Sequence, residues 1–256
     1  MIIRAVKRPL LLIVTLTFSV FLLLVSLTKT TGAYAVYYGG TVRKLPIYSV
    51  GRSDNKISIS FDCAWGAEYT EKLLDVLDEY NVKCTFFCVE FWVTKYPESV
   101  KKIYERGHEI GTHSKTHPKM SKLSKEQVES ELISSSTAIE NITGAKVELF
   151  RPPFGDYNDN LISVCDNLNL YPIQWSVDSL DWKNISTKDI VNRVVSKTKS
   201  GDIILCHNNG KNTYKALPYI LSNLKEKGYG FVKISELIYK KNYKINSFGV
   251  QIKNDN

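Results

Sequence analysis

Three of the four histidines lie just beyond short apolar runs, together with carboxylates. His113 and His117 form an i, i+4 pair, and this spacing lets two imidazoles converge on one cation. Asp62 directly follows an apolar run, and His207 ends another. Carboxylates and imidazoles are the side chains that most often transfer protons in enzymes. The pattern therefore indicates a site for metal-assisted or acid–base chemistry.

An arginine and two further aspartates follow other apolar runs. Arg151 opens the segment Arg-Pro-Pro-Phe-Gly, in which two prolines restrict φ and Gly155 relaxes it. Asp178 and Asp181 lie in the segment Asp-Ser-Leu-Asp-Trp. Taken alone, each feature has a structural explanation: a turn, a helix cap or, for His207, a satisfied histidine of the core. Their common position after apolar runs is what favours a site.

Strand-like apolar runs alternate with amphipathic segments along most of the chain. The predicted strands are Ile57–Phe61, Val82–Val89, His108–Thr112, Val147–Phe150, Tyr171–Trp175, Asp202–Cys206 and Gly230–Ile234. The predicted helices are Tyr69–Tyr80, Pro97–Arg106, Ser124–Asn141, Asn158–Leu168, Thr187–Lys199 and Thr213–Lys227. This alternation predicts an α/β fold with about seven parallel strands, of the distorted (β/α) barrel type. The carboxyl ends of barrel strands share one face, so the polar residues above should meet there.

The N-terminal leader differs from the rest of the chain. Pro9–Thr28 is a run of 20 residues without a charge, long enough to cross the roughly 30 Å hydrocarbon core of a bilayer as a helix. The segment 1–8 is basic, so the positive-inside rule places it in the cytoplasm and the body of the protein on the extracytoplasmic side. We expect a retained transmembrane anchor. Ala33-Tyr34-Ala35 resembles a cleavage site, so a cleaved signal peptide and a secreted protein are the alternative.

The rest of the chain divides into a tether over residues 29–48, a main domain over 49–240 and a polar tail over 241–256. The net charge is +8, but Arg4, Lys7, Arg8 and Lys29 lie in or directly after the leader, where there is no acid, which leaves about +4 for the rest. This balance argues against a nucleic-acid partner. Five cysteines cannot all pair in an exported protein. We expect four of them to be small buried hydrophobic residues: Cys84, Cys88, Cys165 and Cys206.

Five short motifs occur in a fixed order along the main domain. They read Phe61-Asp62-x-x-Trp65-Gly66, His113-Ser-x-x-His117-Pro118, Arg151-Pro-Pro-Phe-Gly155-x-x-Asn158, Asp178-x-x-Asp181-Trp182 and Ile204-Leu205-x-His207. In this order they resemble the motifs of the polysaccharide deacetylases, the nodulation-factor-deacetylase homology family, also called carbohydrate esterase family 4. The resemblance covers about residues 45–240. Leu45–Val50 and the Asp-x-x-Trp-Gly form of the first motif are most similar to the sporulation-associated branch.

The resemblance implies a hydrolase that removes the N-acetyl group from amino sugars of a cell-wall polysaccharide, either peptidoglycan or a chitin-like glycan. It implies that His113 and His117 bind a divalent metal ion, with zinc expected first and cobalt, manganese or nickel as alternatives. Such an ion would polarise the acetamide carbonyl and the attacking water. The implied partners are thus an N-acetylated glycan and, through the leader, a membrane.

The resemblance also implies roles for the other motif residues. Asp62 would be the general base, held by Arg151. His207 would be the general acid, with Asp181 keeping it charged and oriented. The substrate-binding residues would be Phe154, beside the backbone N–H that meets the oxyanion, and Trp182 and Leu205, which would form an apolar slot for the acetyl methyl group.

Cys63 departs from the family pattern, in which a second aspartate is the third metal ligand. A thiolate binds zinc at about 2.3 Å, but its donor atom lies nearer the backbone than a carboxylate oxygen. Three outcomes are open: Cys63 binds the metal, water fills the third place, or Glu90 supplies a carboxylate. A catalytically silent, extracytoplasmic carbohydrate-binding relative is the competing hypothesis. The presence of both a base and an acid favours the enzyme, because binding alone requires neither.

Overall fold

The computed structural model of the protein describes residues 43–254. The predicted anchor Pro9–Thr28 lies outside these residues. Within 43–254, no helix combines the length and the apolar character that a membrane crossing requires.

Helices and strands alternate along the chain, as the sequence predicts. The strands are β1 (Ser49–Val50), β2 (Lys56–Cys63), β3 (Thr85–Cys88), β4 (Glu109–Thr112), β5 (Leu149–Phe150), β6 (Tyr171–Pro172), β7 (Val177–Asp178), β8 (Ile203–His207), β9 (Gly230–Phe231), β10 (Tyr243–Ile245) and β11 (Val250–Lys253). The helices are α1 (Thr70–Glu79), α2 (Glu90–Lys95), α3 (Pro97–Glu105), α4 (Lys125–Thr143), α5 (Asp159–Leu168), α6 (Thr187–Lys197), α7 (Thr213–Glu226) and α8 (Ile234–Leu237).

Seven parallel strands form one continuous path in the order β6-β5-β4-β3-β2-β8-β7, and β9 pairs with the start of β2. The terminal strands β6 and β7 do not pair with each other, so this is an incomplete barrel. All seven predicted strands are present, most of them shorter than predicted. The two-residue strand β7 was missed because it follows β6 after only four residues, too close for a separate apolar run.

Strand β2 shows how the sequence directs side chains to two different environments. Successive side chains of a strand point to opposite sides. Phe61 and Cys63 therefore face the helices and belong to the larger hydrophobic cluster. Asp62, between them, faces the interior of the barrel and lines its pocket. The alternation in this single strand separates the residues that form the core from the residue that can do chemistry.

Helix α4 begins directly after Ser124, where the sequence predicts its start, and a capping box stabilises this end. The Oγ of Ser124 accepts a hydrogen bond from the N–H of Gln127, whose Oε1 accepts from the N–H of Ser124. Such a pair satisfies two of the N–H groups that a helix start leaves unbonded. The helix ends at Gly144, where φ is 68°, a conformation that glycine adopts without strain. Helix α4 packs against α2, α3 and α5.

The chain beyond residue 240 is not the polar appendage that the sequence suggested. Strands β10 and β11 form an antiparallel pair, and β11 also pairs in parallel with β1. Gln251 is buried, and its side-chain amide bonds with both the N–H and the C=O of Tyr239. The prediction failed because these strands are short and carry many polar residues, so their period-two pattern is weak.

Candidate active site

A pocket of about 590 Å³ opens at the carboxyl ends of the strands. Eight of the ten residues predicted for the site line it: Asp62, His113, His117, Phe154, Asp181, Trp182, Leu205 and His207. The other two do not. Arg151 is fully buried behind Asp62, and Cys63 lies on the helix-facing side of β2.

The ion pair between Asp62 and Arg151 crosses the interior of the barrel. Nη1 of Arg151 donates to Oδ1 of Asp62 over 2.7 Å. Asp62 lies on β2, and Arg151 directly follows β5. These two strands are three places apart in the sheet, or about 14 Å if the sheet were flat. The contact therefore requires a strongly curled sheet. The guanidinium also lies 4.1 Å from the ring centroid of Phe87 and donates to the carbonyl of Gln174.

This ion pair sets the charge of Asp62. Burial favours the neutral carboxyl group, but the positive charge of Arg151, and further contributions from the histidines, outweigh it, so the pKa of Asp62 lies below its usual range. Asp62 is therefore ionised at neutral pH. Its second oxygen, Oδ2, lies 3.5 Å from Nε2 of His113. An ionised carboxylate with one oxygen held and the other facing the pocket is suited to accept a proton.

His113 has one ring nitrogen fixed and the other free to bind a cation. Nδ1 lies 2.7 Å from the carbonyl oxygen of Arg151. Because a carbonyl only accepts hydrogen bonds, Nδ1 carries the proton and Nε2 presents a lone pair. Burial lowers the pKa of His113 more than the negative charge of Asp62 raises it, so the imidazole is neutral. A histidine oriented through a backbone carbonyl is a common arrangement in metal sites.

His117 completes the predicted pair of imidazoles. Its ring centroid lies 5.0 Å from that of His113, with Trp65 at 5.0 Å and Phe154 at 4.6 Å. Burial, followed by the electrostatic effect of the neighbouring His113 ring, lowers the pKa of His117 to about 4. Two neutral imidazoles side by side can bind a divalent cation, because metal binding requires the unprotonated ring.

The structure does not bring Cys63 to these histidines. The thiol is buried beside that of Cys88, its register partner on β3. Burial, and then Cys88, raise the pKa of Cys63 well above its ordinary value, so the thiol is protonated in this environment. Glu90 begins α2 and is not among the residues that line the pocket. Over residues 43–254, no three His, Cys, Asp or Glu side chains are grouped closely enough to hold a metal ion. Among the described residues, the two imidazoles are therefore the groups suited to bind a cation.

His207 and Asp181 form the second charged pair of the pocket. Nδ1 of His207 lies 2.7 Å from Oδ1 of Asp181, and Oδ2 accepts from the backbone N–H of His207 and from the hydroxyl of Thr213. Burial lowers the pKa of His207, but the hydrogen bond and charge of Asp181 outweigh it, so the pKa is raised. Any side chain at Gly210 would collide with the Thr213 hydroxyl, so glycine keeps this arrangement possible.

The residues predicted to form the acetyl slot lie in the apolar walls of the pocket. Leu205 and Trp182 both line the pocket, and so does Trp175, which the sequence analysis did not assign. Trp175 ends a predicted strand, and this position at a carboxyl end is the signal that could have identified it. Asn209, two residues after His207, also lines the pocket and was missed for lack of a motif. Phe154 has a left-handed backbone, with φ of 59°, and its ring is exposed at the pocket mouth.

Comparisons with known proteins agree with the geometry. The polysaccharide deacetylase family profile matches residues 49–173. Protein YlxY of Bacillus subtilis, itself uncharacterized, is 34% identical over 193 residues, covering 75% of this chain and 60% of YlxY. A peptidoglycan-N-acetylglucosamine deacetylase of Bacillus cereus is 37% identical over 196 residues, covering 75% of this chain and 92% of that enzyme.

One similar crystal structure is that of a pseudoenzyme of carbohydrate esterase family 4 from Bacillus anthracis. It superposes with a TM-score of 0.74 at 34% identity, covering 77% of this chain and 69% of that one. A mutant of that protein, described as having restored enzymatic activity, superposes equally well. On its five motifs, its fold and these relatives, the chain belongs to the polysaccharide deacetylases, the hydrolases of carbohydrate esterase family 4.

Proposed function

We propose that the protein is a metal-assisted deacetylase that hydrolyses the N-acetyl group of amino sugars in a cell-wall glycan. One observation carries the proposal: the pocket holds a carboxylate that is ionised and a histidine whose pKa is raised, each with its own counter-ion. Amide hydrolysis needs both, since one group must take a proton from water and another must protonate the departing amine. The relatives named as peptidoglycan deacetylases support the choice of substrate.

Each proton transfer in the proposed reaction is assigned to a residue whose surroundings favour it. Asp62 accepts the proton of the attacking water, and Arg151 keeps it ionised and fixed. His207 donates its proton to the nitrogen that leaves, and Asp181 keeps the ring oriented. A divalent metal ion held by His113 and His117, zinc in our proposal, would supply polarisation of the acetamide carbonyl. The apolar slot formed by Leu205 and Trp182 would hold the acetyl methyl group.

The proposal extends to the location of the protein. The uncharged run Pro9–Thr28 and its basic flank support a membrane anchor with the body on the extracytoplasmic side, where a cell-wall glycan is accessible. The Asp-x-x-Trp-Gly form of the first motif supports a role during sporulation. Expression that is confined to vegetative growth would contradict this last part.

Acetate release tests the reaction directly. The purified protein is incubated with N-acetylglucosamine oligomers and with peptidoglycan, with zinc or cobalt added because, among the described residues, only the two imidazoles are suited to bind the ion. We expect acetate and free amines in equal amounts. A folded, metal-loaded protein that releases no acetate from any of these glycans would contradict the proposal.

The position of Cys63 favours a second candidate function, a catalytically silent glycan-binding protein. The thiol is buried away from the two imidazoles, and one of the similar crystal structures is of a pseudoenzyme. Binding of glycan without acetate release, even at saturating zinc, would favour this candidate. Cys63→Asp introduces the family's usual ligand type. Acetate release by this variant alone would identify the natural protein as silent.

A further inference from the structure

A second cavity lies at the amino-terminal end of β4, whereas the candidate active site lies at the carboxyl ends of the strands. Its volume is about 190 Å³, and among residues 43–254 the two pockets share no lining residue. A water molecule takes up about 30 Å³ in the liquid, so this space can hold a molecule of several heavy atoms. We call it the β4 cavity. The lining residues that matter below include Tyr104, His108, Ile110, Ile139, Lys146 and Lys233.

His108 contributes a buried hydrogen-bond donor without a partner. The residue is only 3% exposed. The backbone N–H of Cys84 lies 3.3 Å from Nδ1 of His108, and because this N–H can only donate, the neutral ring carries its proton on Nε2. Within the described part of the chain, Nε2 has no hydrogen-bond partner. A buried donor without an acceptor is unfavourable, so an acceptor bound in the cavity beside His108 is stabilised.

The charges around His108 favour an anionic acceptor. Burial, followed by the positive charge of Lys83, lowers the pKa of His108 to about 4, so at neutral pH the ring is uncharged and donates through Nε2. Arg106 and Lys233 lower this pKa further, and Asp78 raises it. Three cations and one acid thus act on the ring, and an anion beside it is attracted by the excess of positive charge.

Two lysines of the β4 cavity can bind such an anion. Lys146 is exposed, and its ammonium group has no ion-pair partner among residues 43–254. Lys233 lies 3.0 Å from Glu236 in a partly exposed ion pair, which is weak because water screens it. Glu109 is the acid of the cavity, and its Oε2 accepts hydrogen bonds from the Thr85 hydroxyl and from a backbone N–H of α8. These two bonds stabilise the Glu109 charge and reduce its repulsion of a bound anion.

The rest of the β4 cavity determines what kind of anion fits. Ile110 and Ile139 are buried side chains of the wall, and Tyr104, at 41% exposed, places the cavity at the surface. We propose that the β4 cavity binds a small organic carboxylate, whose oxygens accept from Nε2 of His108 and from Lys146 while its apolar part contacts the two isoleucines. This site is separate from the pocket of the proposed reaction and does not depend on it.

Titration followed by nuclear magnetic resonance tests the site, because the ring nitrogens of His108 report the ligand directly. The probes are acetate, butyrate and the uncharged amide butyramide, added to the purified protein at constant pH and ionic strength. We expect butyrate to shift the Nε2 signal of His108 to saturation. It should bind about threefold or more tightly than acetate, because its longer chain buries more apolar surface. Butyramide should bind about tenfold or more weakly than butyrate, because it lacks the charge.

Variants of the cavity separate the two donors. Lys146→Ala should weaken butyrate binding about tenfold, and Lys146→Arg should retain it. Lys188→Ala is the matched control, since this exposed lysine lines neither pocket, and it should change nothing. His108→Phe removes the donor but keeps a ring beside Phe86, and it should weaken butyrate binding as well. If His108→Phe does not fold, Lys146→Ala, at an exposed position, carries the test.

Several results would overturn the proposal. If no carboxylate shifts the His108 signal to saturation, Nε2 is satisfied by water. If butyrate shifts His207 and leaves His108 unchanged, the ligand lies in the active-site pocket. Equal binding of butyrate by Lys146→Ala and the natural protein would exclude Lys146, and tighter binding of inorganic phosphate than of butyrate would exclude a carboxylate as the preferred ligand. None of these results bears on acetate release from glycans, which tests the proposed function separately.

Discussion

Asp62 and His207 are register partners on the adjacent parallel strands β2 and β8. Side chains of such partners leave the sheet on the same side, with their strands about 4.8 Å apart, and both line the pocket. Each has its own counter-ion, Arg151 for the carboxylate and Asp181 for the imidazole. The pocket thus presents an ionised carboxylate beside a histidine that holds its proton strongly, the states that a base and an acid need at the start of a reaction.

Replacing the base should lower both the activity and the stability of the protein. Asp62→Asn should lower the rate of acetate release by roughly 10²–10⁴-fold, because the amide cannot accept the proton of water. It also leaves the buried Arg151 without a counter-charge, which should lower the free energy of unfolding by about 3–5 kcal/mol. Acetate release and thermal unfolding measure the two effects.

Glu148→Gln is the matched control for this variant. It breaks an exposed ion pair with Lys240 and should change stability by less than about 1 kcal/mol. A rate for Asp62→Asn equal to that of the natural protein would exclude Asp62 as the base.

The alkaline limb of the pH–rate profile should report His207. Its raised pKa means that the imidazolium persists above the ordinary value of about 6.5 and is lost as the pH rises through the raised value, so the rate should fall there. Asp181→Asn removes the main charge that raises this pKa and should move the limb to lower pH. Thr213→Val, which removes a hydroxyl donor and leaves the carboxylate, should move it less. If Asp181→Asn does not move the alkaline limb of the pH–rate profile, that limb reports the titration of a group other than His207.

The loss of stability at acidic pH should depend on the protonation of Asp62. Its pKa is lowered in the folded protein, so its contribution to stability is complete above the unfolded value of about 4 and is lost as the pH falls through the lowered value. Denaturant unfolding at a series of acidic pH values measures this loss. In Asp62→Asn the fall in stability over that window should be smaller, and an unchanged fall would assign it to other carboxyl groups.

Metal analysis should distinguish the three candidate ligands. His113→Ala and His117→Ala should each lose bound zinc, because each removes one of two imidazoles. Cys63→Ser should keep its zinc, since the thiol faces the helices, although a buried hydroxyl should lower stability by about 1–3 kcal/mol. Equal loss of zinc in all three variants would make Cys63 a ligand.

Fractionation of cells tests the anchor. We expect the native protein to stay with membranes through an alkaline carbonate wash and to keep residues 1–28. A chain that begins at Val36 should be soluble and equally active. A soluble native protein whose first residue is Tyr34 or Val36 would establish a cleaved signal peptide.

The order of apolar runs was sufficient to predict the fold and most of the site. Asp62 and His207 could be assigned because each directly follows or ends such a run, and parallel strands bring their carboxyl ends together. The position of Cys63 was harder to predict. The residue after Asp62 points either way depending on where β2 ends, and β2 continues through Cys63, two residues beyond the predicted end. Backbone pairing with β3 extends β2 through Cys63 and thereby sets the direction of the thiol.

Trp65 and Phe91, two neighbouring exposed aromatic side chains, illustrate a different limit of prediction from sequence. Trp65 belongs to a recognisable motif, but its exposure depends on hydrogen bonds that reach Gly66 from residues 26 and 142 positions away in the chain. No local pattern reports such contacts. Phe91 has no motif at all, and an exposed aromatic side chain on a short helix is indistinguishable in sequence from one that packs in the core.

The small sheet β1-β11-β10 determines which piece of the protein can be studied in isolation. A fragment ending at Lys240 would contain every residue of the pocket, yet it would leave β1 without its partner strand and remove the glutamine side chain that satisfies both backbone groups of Tyr239. Buried backbone groups without partners are unfavourable. The last strand thus lies beside the first, and we expect a fragment without β10 and β11 to be less stable than one that keeps them.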